Sequence, residues 1–119
     1  MKPSRKLVNE AKGYAKYSNH ERVRVGAVIY RKDRPLGRGF NYGAKTHPKS
    51  PHPYRSTHAE FSALLDYVGT NGVQQVSKGL SIYVHRLKLD GSDGLAKPCQ
   101  WCQKMLDSVG ISEIYWSVG

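Results

Sequence analysis

Two short stretches carry side chains whose types and spacing could do chemistry. His58-Ala-Glu60 sets an imidazole and a carboxylate two positions apart, and Pro98-Cys-Gln-Trp-Cys102 sets two thiols three apart. Thr57 followed three residues later by Glu60 also reads as a capping box, which alone would account for the glutamate. Thiols at i and i+3 in a helical turn project to one side and can share one ion. A helix N-terminus lowers a thiol pKa, which serves metal ligation and redox catalysis equally. Read alone, the cysteine pair therefore fits a metal site, a redox couple or coincidence, although a Gly/Asp loop precedes it rather than the strand a redox motif follows. Read together, the stretches narrow the choice. If His58 begins one helix and Cys99 and Cys102 the next, three ligands converge on a tetrahedral zinc ion with its fourth position open, the arrangement of a catalytic site. Glu60 then stands close enough to move a proton of a water held there.

The elements that must position these groups follow from hydrophobic periodicity. Leu7, Val8, Ala11, Tyr14 and Ala15 recur at helical spacing within Ser4–Tyr17, with lysines on the other face. Arg22–Tyr30 is rich in β-branched residues, and Lys32-Asp-Arg-Pro35 supplies turn signals before a second strand, Leu36–Phe40. Asn41–Ser56 is loaded with Pro, Gly, Lys and His and reads as a long loop of the kind that carries function. Thr57 to about Val68 is a second helix, Leu80–Val84 a third strand, and Asp90–Gly94 another loop. Pro98 suits the first position of a third helix and Gly110 its C-terminal cap, before a last strand at Ile111–Val118. A helix, a hairpin, then helix and strand in alternation specify an α/β fold with a mixed sheet.

At 119 residues the chain is one domain, 1–119, with room for a single core. Nineteen Lys and Arg against nine Asp and Glu give a formal charge of +10. The excess is confined to the front: residues 1–55 carry +11 and residues 56–119 carry −1. A nucleotide phosphate, a nucleic acid or an acidic partner would suit that half. No apolar run approaches membrane-spanning length, the start lacks a secretory pattern, and the two cysteines are too close to staple a fold. A soluble cytoplasmic protein without membrane partners is the expectation.

His58-Ala-Glu60 and Pro98-Cys-Gln-Trp-Cys102, in that order, together with Val25-Gly-Ala-Val-Ile-Tyr30 and Gly37-Arg-Gly-Phe-Asn41 as the first core strands, resemble the cytidine deaminase superfamily. The stretch Gly39-Phe-Asn-Tyr-Gly43 with Lys45-Thr-His-Pro48 is most similar to its deoxycytidylate (dCMP) and phage-type branch. The resemblance implies a three-layer α/β/α sandwich, in a compact version ending near the fourth core strand. It implies one catalytic zinc on His58, Cys99 and Cys102, Glu60 as the proton shuttle, and the Cys99 N–H beside the reacting oxygen. It further implies Asn41 and Ala59 as substrate contacts and a homo-oligomer. Lys45, His47, Arg55 and Lys97 are candidate phosphate contacts, and Tyr115 or Trp116 lies beside the pocket while strand alternation sends the other to the core. With only two cysteines, a second thiolate zinc site is excluded. Hydrolysis of dCMP to dUMP and ammonia is the expected activity; the alternative is deamination of cytosine or adenine in single-stranded DNA or RNA, with phosphates tracked by the basic front half.

Overall fold

The computed structural model describes residues 2–18, 23–41, 58–71, 79–111 and 113–119. Most of the expected loop after Asn41, with Lys45, His47 and Arg55, lies outside them, as does Thr57 of the expected capping box.

Helix α1 spans Arg5–Ala15, and its N-cap Ser4 accepts a hydrogen bond from the Leu7 N–H. Its buried residues Leu7, Ala11 and Ala15 recur at helical spacing, as the periodicity requires. Strands β1 (Arg24–Arg31) and β2 (Arg34–Phe40) form an antiparallel hairpin, and Lys32 in its turn takes a positive φ of 54°. Strand β2 begins two residues before the expected Leu36 and includes Pro35. This is an edge strand, where a missing ladder N–H is tolerated, and the register shifts at Ile29/Tyr30 opposite it. Helix α2 (Ala59–Asn71) follows, running through Gly69 and past the expected end. It lies so close over β2 that a Cβ on Gly39 would overlap the Ala63 backbone nitrogen.

Strand β3 (Ser81–Leu87) is the centre of the sheet, antiparallel to β1 on one side. Its other side carries the two-residue strand β4 (Asp93–Gly94), antiparallel, and β5 (Glu113–Trp116), parallel. Between them, helix α3 (Gln100–Ser108) ends in a Schellman arrangement. Gly110 takes φ 85°, its N–H donates to the Asp107 carbonyl, and the Ile111 N–H donates to the Leu106 carbonyl. Leu106 and Ile111 are both buried in the same cluster, the apolar contact that accompanies this cap.

Alternation along the strands builds two cores and hence three layers. Ala27, Ile29, Ile82 and Val84 pack with Ala59, Ala63 and Leu106 of α2 and α3. Val28, Tyr30 and Tyr83 face the other way, onto Leu7 and Ala11 of α1. The expected mixed-sheet α/β/α sandwich is what forms. None of the described helices is long and apolar enough to cross a membrane.

Candidate metal centre and substrate cavity

The site is assembled from two helix starts. The Ser62 N–H donates to the His58 carbonyl at 3.0 Å and the Gln103 N–H to the Cys99 carbonyl at 2.9 Å. His58 and Cys99 thus hold equivalent positions at the heads of α2 and α3. Cys99 is extended, φ −68° and ψ 164°, and its side chain makes no cap hydrogen bond. An N-cap side chain folds back over the second and third helical residues, and Cys102 is the third. The i, i+3 spacing therefore works, but with Cys99 as the cap and Gln100 as the first helical residue, two positions later than Pro98 suggested. The extended backbone at Cys99 is what turns its sulfur toward its partners.

Nδ1 of His58 lies 3.4 Å from Cys102 Sγ and 3.7 Å from Cys99 Sγ, and the three ligand atoms all fall within 4.8 Å of one another. Two soft sulfurs and one imidazole nitrogen, converging at this separation, suit tetrahedral zinc and fit poorly with a hard, oxygen-seeking cation. Both helices present the positive ends of their dipoles here, which favours thiolates. Burial pushes the Cys102 thiol pKa up, with the Glu60 charge adding to it. A divalent cation reverses that balance, because a coordinated thiol gives up its proton.

Glu60 is buried beside Cys102, at 4 % exposure. Burial raises its carboxyl above the ordinary range, opposed by hydrogen bonds from its own backbone N–H and from the Cys102 thiol. A carboxyl moved toward neutrality is suited to take up and release a proton in turn.

A cavity of about 260 Å³ opens on these groups, with Asn41, His58, Ala59, Glu60, Lys97 and Cys99 in its wall. Its volume lies just below the usual range for small-molecule sites, about 300–1,000 Å³. Asn41 is buried, and one acceptor site and one N–H of its amide are used on the chain itself. Oδ1 accepts from the Val25 N–H at 2.8 Å and Nδ2 donates to the Val23 carbonyl at 2.7 Å. It stands at the cavity as expected, and there it also clamps the start of β1. Tyr115 is not brought there. Its pairing with Tyr83 turns it to the α1 face, where its hydroxyl donates to Glu113. Trp116, paired with Val84, has the parity of the site face.

Of the charged residues that line the cavity, Arg86 was missed. It lies on the same face of β3 as Ile82 and Val84 and lines the cavity with Val84. Its signal was an arginine at the same alternation parity as two buried aliphatic residues, just past the expected end of the strand.

Residues 1–118 match the family described as the cytidine and deoxycytidylate deaminase zinc-binding region. No curated protein matches the chain. Among solved structures, the dCMP deaminase of the cyanophage S-TIM5 is similar in its apo form at 20% identity and a TM-score of 0.68, covering 95% of this chain and 80% of that one. The same enzyme in complex with dCMP and dUMP is similar at 23% identity and a TM-score of 0.66, covering 98% and 82%. A structure from work on tRNA deaminases that perform A-to-I editing at the wobble position is similar at 20% identity and a TM-score of 0.63, covering 93% and 73%. These likenesses establish a shared fold.

Proposed function

The chain belongs to the cytidine and deoxycytidylate deaminase family, whose members are zinc-dependent hydrolytic deaminases, and we propose that it converts dCMP to dUMP with release of ammonia. The observation that carries the deaminase chemistry is the convergence of His58, Cys99 and Cys102 on one point, with buried Glu60 beside them and a small cavity in front.

His58 Nδ1 and the two cysteine sulfurs would hold the zinc ion. Bound there, zinc supplies acidity, lowering the pKa of a water toward neutrality. Glu60 takes a proton from water and passes it to the ring nitrogen next to the amino-bearing carbon. In sum, the ring amino group and one water become a keto group and ammonia. Ala59 and Val84 shape the apolar part of the cavity around a flat base, and Asn41 keeps the β1 wall in place.

A free nucleotide is favoured over a polynucleotide by where the described charges stand. Lys6, Arg31, Lys32 and Arg34 line a shallow groove at the β1–β2 turn. The substrate cavity meets the other end of β1, at Val23 and Val25. Six residues of strand separate Arg31 from Val25, about 20 Å at the rise of a β-strand. That basic groove does not lead into the cavity. Lys45, His47 and Arg55 stay in the proposal as phosphate contacts from the connection between Asn41 and His58. A homo-oligomer in the cytoplasm completes the reading.

The test is ammonia release measured in parallel with dCMP, CMP, deoxycytidine, dAMP and single-stranded oligonucleotides. Turnover of dCMP well above the others is the expected result. Turnover confined to oligonucleotides would replace it with the polynucleotide reading.

A further inference from the structure

We infer that Arg86 is a specificity-determining residue of this cavity and that the group it holds is the phosphate of a nucleoside monophosphate. The inference rests on the dCMP reading and names the residue that would make it a nucleotide site and not a nucleoside site.

Three observations point to it. Arg86 is half-buried in the cavity wall, and its Nε is shielded from solvent with no hydrogen-bond partner among the described residues. A buried donor left without an acceptor carries a desolvation cost, and native structures rarely leave one unexplained. Secondly, no carboxylate among the described residues forms an ion pair with it, although Lys12, Arg38 and His85 each have one. Thirdly, the chain makes room for the side chain. Gly94 pairs with Arg86 across β3 and β4, and a Cβ on Gly94 would come within 2.9 Å of Arg86 Cδ and 3.2 Å of Nε. The missing Cβ is a cradle along which the arginine lies.

The chemistry selects the ligand group. A guanidinium presents a planar fork of N–H donors that matches two oxygens of an oxyanion, and with Nε packed against Gly94 its two terminal nitrogens are left to form that fork. A base carbonyl would satisfy one N–H and leave the charge uncompensated. In a cytidine nucleotide only the phosphate supplies both oxygens and charge, and Lys97, exposed at the same cavity, adds a second cation.

Calorimetric binding of dUMP and of deoxyuridine to wild type, Arg86→Gln and Arg86→Lys tests this without turnover. Wild type should prefer dUMP by about 10- to 100-fold, the size of a charge-assisted pair. Arg86→Gln should erase the preference while leaving deoxyuridine affinity within about threefold, and Arg86→Lys should restore part of it. Gly94→Ala, which keeps the arginine and fills its cradle, should reduce the preference too, and melting curves show whether each variant is folded. Equal wild-type affinity for the two ligands overturns the inference, as does a preference that survives in Arg86→Gln. An Arg86-dependent gain seen for a single-stranded oligonucleotide and not for dUMP also overturns it. An intact Arg86-dependent preference for dUMP with no ammonia released from dCMP would sink the reaction and uphold the binding role.

Discussion

Nδ1 of His58 stands 3.4 Å from the sulfur of Cys102, 44 residues further along the chain. Nothing in local sequence ties them. They meet because α2 and α3 both begin on the same side of the sheet and both open with a ligand in the cap.

Metal content is the first consequence. Purified protein should carry about one zinc per chain, and Cys102→Ala should lose it, since two of three ligands no longer close the site. Because the donors come from two helices, a chelator should also lower the melting temperature of wild type. Elemental analysis and thermal scans read both. Zinc retained in Cys102→Ala would mean that other ligands hold it.

Glu60→Gln keeps the shape of the side chain and removes its capacity to take a proton. Turnover should fall by 10²-fold or more, the scale of general acid–base catalysis, while zinc content stays near one equivalent. Parallel kinetics and metal analysis separate the two roles. Loss of zinc in this variant would make Glu60 a ligand, and activity above about a tenth of wild type would remove it from the chemistry.

How much of this was legible beforehand depends on which force sets each feature. The grouping of His58, Cys99 and Cys102 with Glu60 beside them could be anticipated because metal and proton chemistry demand particular side chains at fixed spacing. Helix α1 could be found because one face is buried at regular intervals. The end of β3 could not. His85 and Arg86 look like the polar close of a strand, yet His85 is buried between the Tyr83 hydroxyl and Asp93, each at 2.8 Å. That partner lies eight residues on, within what reads as a loop. The choice between Tyr115 and Trp116 was also out of reach. Alternation shows that they face opposite ways, and only the register of β5 on β3 decides which way each points. The Gly110 cap was readable because a left-handed residue closing a helix favours glycine.

Asn41 joins β2 to the start of β1, and its removal should cost stability before it costs chemistry. Asn41→Ala leaves the Val25 N–H and the Val23 carbonyl without their side-chain partner. Losing hydrogen bonds of this kind costs about 1–3 kcal/mol each when buried; with both groups half-buried, a total loss of about 1–3 kcal/mol is expected in urea denaturation. Asn41→Asp restores the acceptor for Val25 but not the donor for Val23, and should fall between. A loss below about 0.5 kcal/mol in Asn41→Ala would show that the clamp contributes little.

The link from Tyr83 through His85 to Asp93 ties β4 to the α1 face, and Lys12 of α1 reaches the same carboxylate at 3.6 Å. Chiefly the His85 hydrogen bond, and then the charges of His85 and Lys12, hold the Asp93 carboxyl below its ordinary value. A carboxyl depressed in the folded state stabilises the fold above its unfolded pKa, about 3.9, and loses that contribution as pH falls through the lower, folded value. Wild type should therefore melt higher than Asp93→Asn at pH 6, and the difference should close as pH drops below the ordinary aspartate range. The exposed position of Asp93 keeps the difference small. A gap that is constant from pH 6 to pH 2 would assign the effect to shape and not to charge.

Salt separates the two carriers of the base. A polynucleotide held by several lysines and arginines releases condensed counterions on binding, so its affinity falls by orders of magnitude between low and moderate salt. A mononucleotide meets one or two cations and weakens only modestly over the same range. Two of the described cations, Arg86 and Lys97, line the cavity, whereas Lys6, Arg31, Lys32 and Arg34 line, with Asp33, a groove at the far end of β1. Turnover of dCMP should then show a shallow salt dependence, and neutralising Lys32 and Arg34 together should leave its kcat/KM within about twofold, since screened charges about 20 Å away contribute little. Neutralising Lys45 or Arg55 should raise KM for dCMP. Efficient deamination of an oligonucleotide with a steep salt slope, made shallower by the Lys32 and Arg34 changes, would instead make that groove the track along which a polynucleotide is held.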